Sequence, residues 1–399
     1  MSTQKAALFI RKGRQDSVLR RHPWIFSGAL AKTEGSPSNG DVVSVYGPDG
    51  GFLCKGHFQD ATIKVRILSY EDETIDTGFY AKRLSAAREH RRSMGIPDEH
   101  TNMYRLVHGD GDLLPGLIID CYDGVFVIQT HSAGMTKDSG IISQALQEIF
   151  ESECKAVYEK TAERGRSGGG TYLYTTAELS PEELAEGIVC REHGYRFRIN
   201  WESGQKTGFF LDQRENRKLL GSFARGKRIL NTFCYTGGFS VYALGEGAEE
   251  VVSVDSSRKA MELTEQNIGL LDPAPNGIHR SVCEDVMKTL RQEKNPYDIV
   301  VLDPPAFAKH VKARHNAIQG YKRLNAAALP SVKPGGLLFT FSCSQVVTQE
   351  LFEGAVRAAA IDEGRHIQIL ARLGHPADHP VSLFHPEGEY LKGLLLKVY

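Results

Sequence analysis

The sequence predicts an α/β protein in three parts: a small β-barrel or sandwich, a central α/β domain, and a C-terminal domain with a seven-stranded, doubly wound sheet. Three observations predict it. The first 75 or so residues alternate apolar and polar positions in short runs between Gly-rich turns. From about residue 227 onward, strand-like apolar runs alternate with helical stretches. The length of 399 residues exceeds what one hydrophobic core usually organises.

Composition narrows the function classes. Apolar residues make up 41% and charged residues 24%, and 48 Lys and Arg against 49 Asp and Glu leave a net charge of −1. That excludes a histone-like basic protein and leaves room for local basic patches. No run approaches the roughly 18 apolar residues of a membrane span, so no membrane partner is expected. The N-terminus is charged and lacks the apolar core of a secretory signal. Seven cysteines stand singly at positions 54, 121, 154, 190, 234, 283 and 343. With no CxxC pair, neither a zinc cluster nor a disulfide framework is expected, and a reducing cytoplasm is the expected location.

In chain order, residues 41–46 read as a strand ending in the turn Gly47-Pro48-Asp49-Gly50-Gly51. Strands 52–58 and 62–68 follow, closing a first domain over 1–76. Its opening stretch to Trp24 carries Lys5, Arg11, Lys12, Arg14, Arg20 and Arg21 against the single acid Asp16. Such a stripe is either a solvated face, the commoner outcome, or an edge that contacts phosphates. A second domain, 77–185, holds a helix over 79–94, strands over 114–121 and 125–130 around the turn Asp123-Gly124, and a helix over 141–150. Gly165 to Gly170 reads as a linker.

The third domain, 186–399, carries strands over 228–233, 251–255, 279–283, 298–303 and 336–342, and then 366–372 and 390–399. Parallel strands with helical crossovers place a ligand at the carboxyl ends of the strands. The first strand runs into Cys234-Tyr235-Thr236-Gly237-Gly238-Phe239, where glycines let backbone approach a ligand and a helix N-terminus offers free N–H groups. The full dinucleotide fingerprint GxGxxG is absent, which disfavours a nicotinamide dehydrogenase. Asp255, ending the second strand, suits ribose hydroxyls, and Asp285, after the third, suits an adenine amino group. Each acid alone is as consistent with a solvated cap. Their phasing on consecutive strands favours a nucleoside cofactor.

The fourth strand ends in Asp303-Pro304-Pro305-Ala306-Phe307, a rigid loop offering backbone carbonyls, or else a plain helix-stopping turn. The fifth ends in Ser342-Cys343-Ser344. Free cysteines are usually buried hydrophobes. Adjacent strand ends, however, would bring this thiol beside Asp303 and to the same substrate. Carbon 5 of a pyrimidine is too weak a nucleophile to take a methyl group directly. Thiolate attack on carbon 6 activates it, with Asp303 on the base edge as charge develops.

On these residues the chain resembles the class I S-adenosylmethionine-dependent methyltransferases of the RlmI type, which form 5-methylcytosine in large-subunit ribosomal RNA. The resemblance is carried by residues 204–217 (Gly-Gln-Lys-Thr-Gly-Phe-Phe-Leu-Asp-Gln-Arg-Glu-Asn-Arg), its most specific part, with Tyr235-Thr236-Gly237-Gly238-Phe239, Asp303-Pro304-Pro305 and Ser342-Cys343-Ser344. Arg20-Arg21-His22-Pro23-Trp24, Tyr104-Arg105-Leu106-Val107, Leu114-Pro115-Gly116-Leu117, Asp378-His379-Pro380 and Glu389-Tyr390-Leu391-Lys392 fit too, so it covers nearly the whole chain. The resemblance implies an N-terminal PUA domain that binds RNA, a central α/β domain and a Rossmann-like methyltransferase domain.

It further implies S-adenosylmethionine as cofactor, held by Phe209, Gln213, Arg217, Phe233, Tyr235, Thr236, Gly237, Asp255, Ser256, Asp285, Val286 and Asp303. Cys343 is implied as nucleophile and Asp303 as the residue that recognises the base. Large-subunit rRNA or an assembling subunit is the implied partner, met by Arg20, Arg21, Trp24, Lys309, Lys312 and Arg314. Residues 159–186 depart from the family, being Gly-rich and acidic where a basic segment is usual. A sister branch that methylates a guanine nitrogen needs no thiol, so Cys343 favours cytosine. An assembly factor that binds RNA without turnover is the non-enzymatic alternative. Oligomeric state is left open between a monomer and a homodimer joined through the PUA-type domain. His375, His379 and His385 with Asp378 invite a metal, but their spacing is loose and proline-interrupted, so no metal site is expected.

Overall fold

The computed structural model describes residues 6–160, 169–292 and 296–399. The chain forms two compact units. The first comprises the residues up to Cys190 with Ile199–Phe209 and Ala377–Gly388; the second comprises Arg191–Arg198, Phe210–Pro376 and Glu389–Tyr399. No helix among the described residues is long and apolar enough to cross a membrane.

In the first unit, a six-stranded sheet orders Trp24–Phe26, Ile63–Ser69, Phe52–Phe58, Val42–Tyr46, Ala7–Ile10 and Leu30–Glu34. Alternation along these strands sends Leu8, Ile10, Val43, Val45, Cys54, Val65 and Ile67 into one core. A five-stranded sheet follows, ordered Gly170–Thr175, Ala156–Lys160, Val125–Thr130, Leu117–Tyr122 and Met103–His108. Helices Thr77–Ser93 and Ser139–Phe150 pack their apolar faces with it around Leu84, Leu106, Phe126 and Leu146. The first helix starts where the Asp76 side chain accepts the Phe79 N–H.

The expected Gly165–Gly170 linker lies outside the described residues over 165–168, and its last residue begins a strand rather than a tether. Gly170 opens the strand that pairs antiparallel with Ala156–Lys160, and a β-carbon there would stand 2.3 Å from the Tyr158 ring. Its glycine is a close-approach residue, a use that composition does not distinguish from flexibility. The segment Ala377–Gly388 is held in this unit by buried charge: Arg91 pairs with Asp112 and donates to the Asp378 carbonyl, and Asp378 accepts the Arg105 N–H at 2.9 Å.

The second unit is built on seven strands: β1 Arg228–Thr232, β2 Glu250–Asp255, β3 Ile278–Cys283, β4 Tyr297–Leu302, β5 Val332–Ser342, β6 Ile367–Leu373 and β7 Lys392–Val398. Their order is 3-2-1-4-5-7-6, all parallel except β7, which runs antiparallel to β5 and β6. Neighbouring residues take opposite faces: Leu230, Val300, Leu302 and Leu338 enter one core, and Ile229, Val301, Phe339 and Phe341 the other. Burial on both faces explains the near-continuous apolar runs of these strands. The helices are α1 Arg214–Gly221, α2 Gly238–Gly245, α3 Arg258–Gly269, α4 Val286–Gln292, α5 Arg314–Ala328 and α6 Gln349–Asp362.

Candidate active site

The site is assembled at the carboxyl ends of β1, β2, β4 and β5. Three residues in the loop after β1 take left-handed backbone: Phe233 at φ 54°, Tyr235 at φ 48° and Gly237 at φ 76°. The loop is closed by its own backbone: the Cys234 N–H donates to the Val254 carbonyl at 3.1 Å and the Gly237 N–H to the Cys234 carbonyl at 2.8 Å. Only glycine serves at 237, because a β-carbon there would stand 2.7 Å from Thr264. Helix α3 fixes the loop from below: Thr264 Oγ1 donates to the Tyr235 carbonyl and Asn267 Nδ2 to that of Thr236, each at 2.9 Å.

Asp255, half-buried at the end of β2, accepts one backbone N–H on each oxygen, from Tyr235 at 3.1 Å and from Ser257 at 2.9 Å. Each carboxylate oxygen keeps further lone pairs, the arrangement a ribose diol requires. Ser256 beside it is exposed. Asp285 is exposed at the start of α4, where Oδ1 accepts the Lys288 N–H, and Val286 next to it is buried.

The second half of the site joins β4 to β5. Cys343 Sγ lies 3.7 Å from the Pro304 carbonyl, so the thiol does rest on the Asp-Pro-Pro loop. Ser344 clamps the same pair of loops, accepting the Ala308 N–H at 3.2 Å and sharing a 2.8 Å bond with the Tyr321 hydroxyl. Phe307 stacks on Tyr321 with ring centroids 4.6 Å apart. Asp303 and Cys343 are both partly exposed. Behind them Lys392, only 4% exposed, donates to the carbonyls of Ser344 (2.9 Å) and Tyr390 (2.7 Å). Burial pushes its pKa down to about 8, against the opposing pull of Cys343. Sequence reading met Lys392 only as the end of a motif; a lysine after an apolar strand start carries no signal of burial.

The other expected residues fall less simply. Arg217 and Arg214 are buried, not poised at an open mouth. Arg217 pairs bidentately with Glu192, at 2.8 and 2.7 Å, and gives its remaining terminal nitrogen to the Phe210 carbonyl at 2.9 Å. Its task is therefore to position Phe210, whose ring meets that of Tyr235 edge-on at 5.0 Å. Gln213, also buried, accepts from Asn216 at 2.6 Å. Phe209 belongs to the first unit, where its N–H reaches the Tyr122 hydroxyl at 3.3 Å.

Lys309, Lys312 and Arg314 are exposed, whereas Lys322 from the same basic run pairs with Asp362 at 2.7 Å. Arg20 is exposed and Arg21 stacks over the Tyr70 ring at 4.4 Å. The Trp24 indole is engaged within the first unit, donating to Asp110 at 2.9 Å. Among the cysteines, burial pushes Cys54, Cys121 and Cys234 up to about 12. Thiolate character governs alkylation, so brief iodoacetamide treatment of the folded protein should label Cys343 and the exposed Cys283 and spare these three. Peptide mass spectrometry checks it, and early labelling of Cys234 would contradict the burial.

A 3-2-1-4-5-7-6 sheet with a tight glycine-bearing loop after β1 and an acid ending β2 defines a class I, Rossmann-like methyltransferase. Comparison agrees: residues 104–395 match the family described as S-adenosylmethionine-dependent methyltransferase, and residues 8–70 a PUA-like domain. The chain is 40% identical over 402 residues to ribosomal RNA large subunit methyltransferase I of Aeromonas hydrophila, covering 98% of this chain and 99% of the relative. It is 38% identical over 398 residues to the protein of that name from Escherichia coli strain SMS-3-5, again covering 98% and 99%. Two solved chains share the fold. One, described as a SAM-dependent methyltransferase from Streptococcus mutans, is 24% identical with TM-score 0.82; the other, SMU.776 complexed with SAH, is 23% identical with TM-score 0.84. Each covers 98% of this chain and 99% of its own. The chain belongs to the S-adenosylmethionine-dependent methyltransferase family, among the proteins called ribosomal RNA large subunit methyltransferase I. Its cofactor is S-adenosylmethionine, and the Asp255 carboxylate at the end of β2, with lone pairs left to accept from ribose hydroxyls, fits it.

Proposed function

We propose that this protein methylates carbon 5 of a cytosine in large-subunit ribosomal RNA through a covalent adduct at Cys343. The observation that carries the reading is the seating of the Cys343 thiol against the Asp-Pro-Pro loop, 3.7 Å from the Pro304 carbonyl. The names of the curated relatives support the RNA class. Cys343 Sγ, as thiolate, bonds to carbon 6 and shifts electron density to carbon 5, while Asp303 hydrogen-bonds the base edge. The cofactor supplies the electrophilic methyl group when bound. Loss of the carbon 5 proton to a base then expels the thiolate and restores the ring. Reaching carbon 6 requires an unstacked nucleotide, so the target is flipped or lies in a loop.

In this reading the three parts 1–76, 77–185 and 186–399 act as RNA-binding, central and catalytic modules. Asp255, Ser256, Asp285 and Val286 hold the nucleoside with Gln213 and the loop Phe233, Tyr235, Thr236 and Gly237. Arg217 contributes by holding Phe210. The exposed Arg20, Arg21, Lys309, Lys312 and Arg314 meet phosphates, and with the Trp24 indole engaged, the exposed ring of Phe26 is the better stacking surface beside them.

The test is nucleoside mass spectrometry of unmodified large-subunit rRNA incubated with labelled S-adenosylmethionine. Labelled 5-methylcytidine supports the reading, and labelled methylguanosine instead would end it.

A pH prediction follows from Lys392. Its ammonium favours a thiolate at Cys343, and it keeps its proton only below about pH 8. That charge lowers the pH at which the thiol ionises, so single-turnover rates should rise with pH to a plateau and reach half of it at a lower pH than in Lys392→Met. Lys392→Met should move that rise to higher pH, lowering the rate on the rising limb by roughly tenfold per pKa unit and leaving the plateau nearly unchanged. An unchanged profile in the variant would remove Lys392 from the chemistry.

A further inference from the structure

The first unit contains a cluster that methyl transfer does not use. His22 precedes the strand Trp24–Phe26, and His385 and Glu387 lie on the segment Ala377–Gly388. One donor atom from each lies within 4.8 Å of the other two. His22 Nε2 stands 3.8 Å from Glu387 Oε1, and His385 Nε2 stands 3.8 Å from Glu387 Oε2. The side chain of His385 is 3% exposed, yet neither ring nitrogen has a hydrogen-bond partner. Burying an imidazole with both nitrogens unsatisfied is costly, and a bound ion removes that cost.

We propose that His22, His385 and Glu387 bind a first-row divalent cation, with zinc the best fit, and a water as fourth ligand. Two imidazoles and a carboxylate select such ions over calcium or magnesium, which take all-oxygen shells. Bonds of about 2.0–2.1 Å arranged tetrahedrally put donors roughly 3.3 Å apart. The half-exposed Glu387 side chain can supply the small closure from 3.8 Å.

The outer contacts suit the same task. His22 Nδ1 is held on the Trp24 backbone, 3.2 Å from its carbonyl and 3.1 Å from its N–H, which turns Nε2 toward Glu387. The ion takes Nε2 in the tautomer whose Nδ1 proton goes to that carbonyl. His385 Nδ1 faces Asp110 Oδ2 at 3.8 Å, and the other oxygen of Asp110 is anchored by the Trp24 indole at 2.9 Å. A carboxylate behind a ligating imidazole raises its basicity and fixes its ring. The expectation of no metal site is thereby revised. Spacing within the 375–385 stretch was loose because His375 and His379 are used elsewhere, accepting the Leu391 N–H and pairing with Asp378. The second imidazole comes from the other end of the chain.

The test uses full-length protein without a histidine tag, stripped with chelator and then titrated separately with Zn2+ and Co2+. About one equivalent of Zn2+ should survive gel filtration, and Co2+ should give the visible bands of a four-coordinate site. His385→Ala and Glu387→Gln should each abolish both signals, whereas Asp110→Asn should weaken binding by roughly 10- to 100-fold. Glu387 is solvent-facing, so its variant folds regardless and keeps the test decisive; circular dichroism verifies this. Retention of no zinc, or of zinc that neither variant reduces, would overturn the site. The cluster would then be an imidazole held between two carboxylates.

Discussion

Replacing Cys343 by alanine is expected to lower methyl transfer by on the order of 10³-fold or more while leaving cofactor affinity unchanged, because nucleophilic activation of carbon 5 has no substitute within the site. The thiol lies 3.7 Å from the Pro304 carbonyl, a weak sulfur contact. The loop geometry does not depend on it: Ser344 joins the two loops through Ala308 and Tyr321, and Lys392 holds the Ser344 carbonyl. The variant should therefore fold and bind cofactor normally, which separates lost chemistry from lost structure. Wild-type protein should form a denaturant-stable adduct with RNA bearing 5-fluorocytosine, since fluorine at carbon 5 blocks the final proton loss. Cys343→Ala should form none. Activity within a few-fold of wild type would reassign the thiol to packing and move the reaction to a base nitrogen, which needs no covalent help.

What could be read from sequence and what could not divides along a physical line. Strands β1, β2, β4, β5 and β7 were visible because burial on both sheet faces writes near-continuous apolar runs; the largely exposed β3 and β6 were placed by the strand–helix alternation, and Asp255 and Cys343 were visible because a strand end is itself a position. Features that depend on partners far along the chain were not. The strand Ala156–Lys160 gives no strong pattern alone, and its neighbour Gly170–Thr175 opens in glycines that composition marks as linker. Lys392 reads as a surface lysine until β7 places it against β5 with its ammonium under the Ser344 carbonyl. Arg217 reads as a ligand contact because arginine near a glycine-rich motif usually faces solvent or phosphate. Its counter-charge, Glu192, sits on a separate strand, Ile188–Glu192, with nothing local to announce the pairing.

That hidden pair carries the largest expected effect on stability. Glu192 is fully buried and Arg217 nearly so. Burial opposes the charge on Arg217, yet the Glu192 carboxylate outweighs it and holds the guanidinium above its ordinary pKa. Arg214 Nε stands 3.7 Å from the same carboxylate, and the Tyr242 hydroxyl donates to it at 3.0 Å. Glu192→Gln would thus remove the carboxylate that two buried guanidinium groups share. The expected loss is about 3–5 kcal/mol for the second unit, the usual cost of breaking rather than replacing a buried ion pair. The damage should reach the cofactor as well, because Arg217 holds the Phe210 carbonyl and Phe210 packs on Tyr235 of the loop after β1. Thermal unfolding and cofactor titration should both deteriorate in Glu192→Gln. The double variant Glu192→Met with Arg217→Met should recover part of the stability by removing one buried charge, and little of the affinity, because the Arg217 bond to the Phe210 carbonyl stays missing. Unaltered melting in Glu192→Gln would mean that the two arginines find other compensation. Full recovery of affinity in the double variant would mean that Arg217 acts on stability alone.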